Sequence, residues 1–223
     1  MTRYVLVPGA GGTAWYWSRV APRLDAAGQK AVAVDLPGDD ETAGLPEYVD
    51  LVVAAVDGDP ETVLVAQSLG GFTTPVVASR TALRAIVFVN AMIPNPGERA
   101  GEWWEATGSS AARVAAAERN GYPAEFDLDT YFLHDVDPAL AAEGAPYQRP
   151  EADAVFASVC DFTAWPDLPI RVVSGADDRF FPLDFQQRIA RERLGIEPDV
   201  RPGGHLIALA QPDALTKYLL SAG

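Results

Sequence analysis

The sequence is poor in lysine, histidine and cysteine. Lys30 and Lys217, His134 and His205, and Cys160 are all that its 223 residues contain of these types. A lone cysteine excludes an internal disulfide. The spacing of His, Cys and Asp offers no metal-ligand set, so neither metal nor other cofactor is expected. Seventeen basic residues stand against 31 acidic ones, a formal charge of −14, and no basic cluster occurs. Such a field repels nucleic acid and favours a neutral or cationic small-molecule substrate over an anionic one. No apolar run is long enough to span a bilayer, so no membrane partner is expected. The opening "MTRYVLVPGAGG" has no charged n-region, long apolar segment or cleavage site. It therefore reads as having no signal peptide, and a cytoplasmic location is expected.

What is present is alternation. Short apolar runs ("RYVLVP", "KAVAVDLPG", "ETVLVAQ", "LRAIVFVNAMIP") take turns with helical stretches ("AWYWSRVAPRLDAAG", "LPEYVDLVVAAVDG", "SLGGFTTPVVASR") over the first ninety residues. This pattern predicts right-handed βαβ units and a mostly parallel β-sheet flanked by helices, an α/β fold. It resumes at "LPIRVVSGADD" and continues through "LDFQQRIARERLG", a short strand near "EPDVRP" and a last helix in "QPDALTKYLLSA". Residues 91–165 carry no strand signal, only short helical candidates punctuated by Pro and Gly. A core of residues 1–90 and 166–223 with a helical lid inserted after the fourth strand is the expected organisation.

Three stretches carry chemistry. Gly9, Gly11 and Ala14 fit G-x-G-x-x-G/A, and Asp35 closes the next apolar run, which outlines a dinucleotide site. The same turn can instead supply a backbone N–H to an oxyanion. Ser68, in "VLVAQSLGGFT", stands where a buried strand steps into a glycine-opened helix: a nucleophile on a tight turn, or a helix cap. Ala66 occupies the first position of the usual G-x-S-x-G. Aspartates 177 and 178 follow a late strand, and His205 lies between a glycine pair and the last helix. The order Ser, Asp, His, each after its own strand, is the chain order of one known triad arrangement.

These stretches, together with "VPGAGGTAWYWSRVAPRL", "AVDLPGDD", "SGADDRFFP" and "GGHLIALAQP", resemble the α/β-hydrolase superfamily over residues 3–90 and 166–222. The similarity is greatest to its small lidded group of methyl esterases and hydroxynitrile lyases. The resemblance implies Ser68, Asp178 and His205 as catalytic residues. Gly175 and Pro182 of the family's G-x-x-D-x-x-x-P pattern select Asp178 over Asp177. It implies an oxyanion hole from the backbone N–H groups of Ala10 and Leu69, which turns Gly9–Gly12 into an oxyanion loop and Asp35 into a structural residue. The dinucleotide reading lacks the Tyr-x-x-x-Lys of short-chain dehydrogenases, because Ala26 and Asp213 precede the two lysines by four residues. Pro8 replaces the family's usual loop-anchoring histidine.

The implied activity is that of a serine hydrolase of the carboxylesterase type, cleaving a small neutral, largely apolar ester, lactone or thioester through an acyl-enzyme. Gly9, Met92, Trp103, Trp104, Tyr131, Phe132 and Leu206 are candidates for the substrate pocket; the aromatic members equally suit the core of the lid. His134 reads as structural. Two alternatives stand beside hydrolysis. One is lyase or polyketide-tailoring chemistry on the same triad, although the lyases carry threonine at the position of Gly9 and lysine at that of Leu206. The other is a low-turnover ligand-binding protein on a hydrolase scaffold.

Overall fold

The computed structural model describes residues 1–222. Six strands form one sheet: β1 (Arg3–Val7), β2 (Lys30–Ala33), β3 (Thr62–Gln67), β4 (Ala85–Val89), β5 (Ile170–Gly175) and β6 (Asp199–Arg201). Their order is β2-β1-β3-β4-β5-β6, and every pairing is parallel. The three central strands are buried along their whole length, as expected of a sheet covered on both faces.

Strand periodicity divides the core in two. Val5, Val7, Leu64, Ala66, Ile86 and Phe88 face one side. There they meet α2 (Leu45–Val56), α3 (Thr73–Arg80) and α8 (Leu183–Leu194). Tyr4, Leu6, Val63, Val65, Val87 and Val89 face the other. They are covered by α1 (Ala21–Ala26), α9 (Ile207–Ala210) and α10 (Pro212–Ala222). The single helix expected over residues 14–28 is divided: a 3-10 turn at Ala14–Trp17 is followed by α1, which has Pro22 in its first turn. Proline has no N–H to donate, so a helix starts there more readily than it passes through.

Between β4 and β5 the chain leaves the sheet and forms α4 (Ala100–Thr107), α5 (Ser109–Asn120), α6 (Pro138–Gly144) and α7 (Asp153–Ala157). A single π-helical turn, Asp129–Leu133, lies among them. Arg193 of α8 fastens this insertion to the core: it grips Glu98 through both terminal guanidinium nitrogens, one at 2.9 Å, and donates to the Ile93 carbonyl at 2.6 Å. Both side chains are under 10% exposed. No helix among the described residues is long and apolar enough to cross a membrane.

Strand order changes direction at β1 and β3, so the loops leaving their C-terminal ends open onto a common crevice where ligands bind in such sheets. Breaking the buried Arg193–Glu98 pair from one side is expected to cost about 3–5 kcal/mol, because the remaining charge is left without a partner. Urea unfolding of Arg193→Ala checks this.

Candidate active site

Ser68 follows β3 directly and adopts φ +49°, a left-handed conformation uncommon for a residue with a side chain. Only very small neighbours permit the turn. A Cβ on Gly70 would lie 2.4 Å from the Pro8 carbonyl oxygen, and one on Gly71 only 1.9 Å from that of Met92. A Cβ on Gly9 would come within 2.8 Å of the Ser68 Cβ. Ala66, by contrast, turns its methyl into the buried core and is fully covered, so the departure from glycine at that position fits.

His205 Nε2 lies 3.1 Å from Ser68 Oγ, and its Nδ1 lies 2.9 Å from Asp178 Oδ2. Asp178, rather than Asp177, therefore meets the imidazole. Its other oxygen accepts the backbone N–H groups of Phe180 and Phe181 at 2.9 and 2.8 Å, while Gln186 Nε2 donates to Oδ2 at 3.2 Å. Asp177 instead accepts the Gly203 N–H at 3.1 Å. Asp135, from the insertion, accepts that of Gly204 at 2.6 Å. The two carboxylates hold the backbone immediately before His205. Asn90, itself at φ +46°, donates to the carbonyls of Gly204 and His205 and accepts the Gly175 N–H.

The imidazole is enclosed by aromatic rings. Phe132 stacks on it at 4.9 Å, and Phe180 and Phe181 meet it edge-on at 5.0 and 5.1 Å. Phe132 is carried by the π-helical turn, a local distortion that recurs at functional sites. His134, two residues on, packs against Gly204. Burial holds its pKa below the ordinary histidine range, opposed by the Asp135 carboxylate.

A cavity of about 400 Å³ opens beside the serine, with Gly9, Ala10, Trp15, Phe126, Phe132 and Leu206 in its mainly apolar wall. Other pocket candidates lie elsewhere. Met92 and Trp103 are buried in the sheet core, with the Trp103 indole N–H donating to the Ile93 carbonyl at 3.1 Å. Tyr131 is fully buried, and its hydroxyl donates to the Pro123 carbonyl at 2.7 Å. A large side chain whose polar atom already has an internal partner closes packing rather than receiving a ligand. Trp104 borders a separate small cleft against Phe180. Leu69 follows Ser68 and is buried at the start of the same turn.

The glycine turn after β1 is held in ways its sequence does not announce. Gly11, at φ +83°, donates its N–H to Glu151 and accepts from Arg149 Nε at 3.0 Å. Tyr48 donates its hydroxyl to the other oxygen of Glu151. Burial pushes the Glu151 carboxyl above the usual glutamate range, while Tyr48, Gly11 and Arg149 pull it back. Asp35 accepts the Ala14 N–H at 2.9 Å and pairs with Arg149 at 3.1 Å, so this carboxylate is engaged in the protein's own structure. Cys160 is buried, and its thiol is pushed up by that burial. Among the described residues no His, Cys, Asp and Glu side chains gather as a ligand set for a metal ion.

Because Gly70 and Gly71 face backbone oxygens, Gly71→Ala is expected to destabilise more than Gly70→Ala. A cost of at least about 1–3 kcal/mol is expected for Gly71→Ala. Thermal unfolding of the two variants ranks them.

The chain is similar to proteins named as esterases. Methylesterase 3 of Arabidopsis thaliana is 30% identical over 141 residues, covering 55% of this chain and 54% of that protein. Esterase PIR7B of Oryza sativa subsp. japonica is 34% identical over 111 residues, covering 44% and 41%. The chain thus spans about half, or less, of the length of these curated relatives. The crystal structure of polyneuridine aldehyde esterase superposes with a TM-score of 0.79 at 21% identity over 99% of this chain and 98% of that one. That likeness establishes the fold. A family model described as the alpha/beta hydrolase family matches residues 4–217, nearly the whole chain, and the protein belongs to that family.

Proposed function

We propose that the protein is a serine esterase acting on a small, neutral, largely apolar carboxylic ester, with residues 91–165 as its lid. The contact between Ser68 Oγ and His205 Nε2, continued through Nδ1 to Asp178, carries this reading. A serine held at positive φ at the end of a buried strand supports it further. So do the esterases among the chain's relatives.

Ser68 Oγ attacks the ester carbonyl carbon while His205 Nε2 takes the hydroxyl proton. Asp178 holds Nδ1–H and stabilises the imidazolium that forms. The carbonyl oxygen, now an oxyanion, receives the N–H groups of Ala10 and Leu69, each worth roughly 3–4 kcal/mol in the barrier. The imidazolium returns its proton to the departing alkoxide, leaving an acyl-serine. Water then attacks with His205 as base, and the acid departs as Ser68 recovers its proton. The aromatic wall around the imidazole lowers the local polarity and strengthens each of these charge interactions. Substrate preference follows from the cavity: its aromatic and aliphatic lining suits an apolar acyl or alkoxy group. Leu206 stands where the lyases carry lysine, which favours hydrolysis over the lyase reading.

A fluorophosphonate is expected to add once to the wild type and not to Ser68→Ala, as read by intact-mass analysis; absence of an adduct on folded wild type would overturn the proposal. On a p-nitrophenyl ester, Asp178→Asn is expected to lose about 10⁴-fold in kcat, as the imidazole takes the wrong tautomer. Asp177→Asn, which only holds the Gly203 N–H, should retain most of the activity. The reverse result would reassign the acid.

A further inference from the structure

The loop that carries the Ala10 N–H is intrinsically loose. Three of the four residues Gly9–Gly12 are glycine, the residue that loses most conformational freedom on being fixed. Its internal support is one turn bond, from the Gly12 N–H to the Gly9 carbonyl at 3.1 Å, and Pro8 before it offers no side-chain hydrogen bond. Among the described residues nothing accepts from the Ala10 N–H. A donor held free and correctly aimed needs its neighbours held firmly.

The structure assigns that task to Arg149 and Glu151 of the insertion: we propose that they are positioning residues that clamp the oxyanion loop through both polar groups of Gly11. Glu151 accepts the Gly11 N–H, and Arg149 Nε donates to the Gly11 carbonyl. Each is held in turn. Tyr48 of α2 donates to Glu151. Arg149 meets both oxygens of Asp35, at 3.3 and 3.1 Å, and donates to the Leu36 carbonyl at 3.0 Å. Next to them, the Ala152 N–H donates to the Gly38 carbonyl at 2.7 Å. The fit leaves no room for a side chain at the clamped residue, since a Cβ on Gly11 would lie 2.7 Å from the Arg149 carbonyl oxygen. Keeping a half-buried carboxyl whose ionisation burial disfavours is understandable if its acceptor role is needed.

The consequence is that the oxyanion hole is complete only when residues 149–151 are seated. The insertion covers the cavity and also finishes the catalytic apparatus beneath it. This inference rests on the esterase reading, in which Ala10 faces the oxyanion.

The test compares Glu151→Ala with Glu151→Gln on a p-nitrophenyl ester, with backbone amide exchange of the 9–13 segment and thermal unfolding measured alongside. Glutamine keeps both contacts, its oxygen accepting from Gly11 and its NH₂ donating to the Tyr48 hydroxyl oxygen. Glu151→Ala is expected to lose about 10- to 100-fold in kcat, the scale of a small misplacement of a catalytic group, with little change in KM. Exchange in the segment should accelerate. Glu151→Gln is expected to restore most of kcat and the slow exchange. Unchanged kcat in Glu151→Ala, equal losses in both variants, or a loss that merely follows a lowered Tm overturns the clamp. If the wild type neither turns over esters nor takes the fluorophosphonate, the esterase reading fails separately. Unaltered exchange in Glu151→Ala would then overturn the clamp as well.

Discussion

Everything at the site depends on three backbone segments approaching closely at the C-terminal end of β3. The turn at Ser68–Gly71, the loop at Pro8–Gly9 and the exit of β4 at Met92 touch at distances that exclude even a methyl group. The Met92 N–H closes the arrangement by donating to the Ser68 carbonyl at 2.9 Å. Parallel pairing of β1, β3 and β4 brings these exits together, and small residues let them meet. The hydrophobic burial of the central strands thus fixes the serine's position as well as stabilising the sheet.

Around that point polar side chains hold the Gly203 and Gly204 N–H groups and the carbonyls of Gly204 and His205. Asn90 serves three segments at once, linking the end of β5 to the carbonyls of Gly204 and His205. Asp178 divides its two oxygens between the imidazole and Gln186 on one side and the Phe180 and Phe181 amides on the other. Networks of this kind hold an imidazole in one orientation. The orientation of the His205 imidazole is thus a property of several loops and not of the aspartate alone.

Much of this was legible in the sequence where local chemistry decides the outcome. β-Branched runs announced the strands, glycine pairs announced the tight turns, and the order of Ser68, Asp178 and His205 pointed to one assembly. The aromatic residues of the insertion were harder. Tyr131 and Phe132 are neighbours of similar size, yet one is sealed under the Pro123 carbonyl and the other lies on His205. A π-helical turn separates their directions, and no hydrophobic period encodes it. Asn90 looks like an ordinary residue at the end of a strand. Glu151 stands 140 residues from the glycine it holds, so its partnership is created by tertiary packing alone.

The positive φ of Ser68 has a thermodynamic corollary. A non-glycine residue in that region carries a penalty on the order of 1–3 kcal/mol, which packing elsewhere must offset. Glycine would sit there without the penalty, at the loss of the hydroxyl. Stability alone would therefore favour glycine at this position. On the proposed function, the hydroxyl at this position is needed against the preference of its own backbone, so reactivity and resilience compete within a single residue.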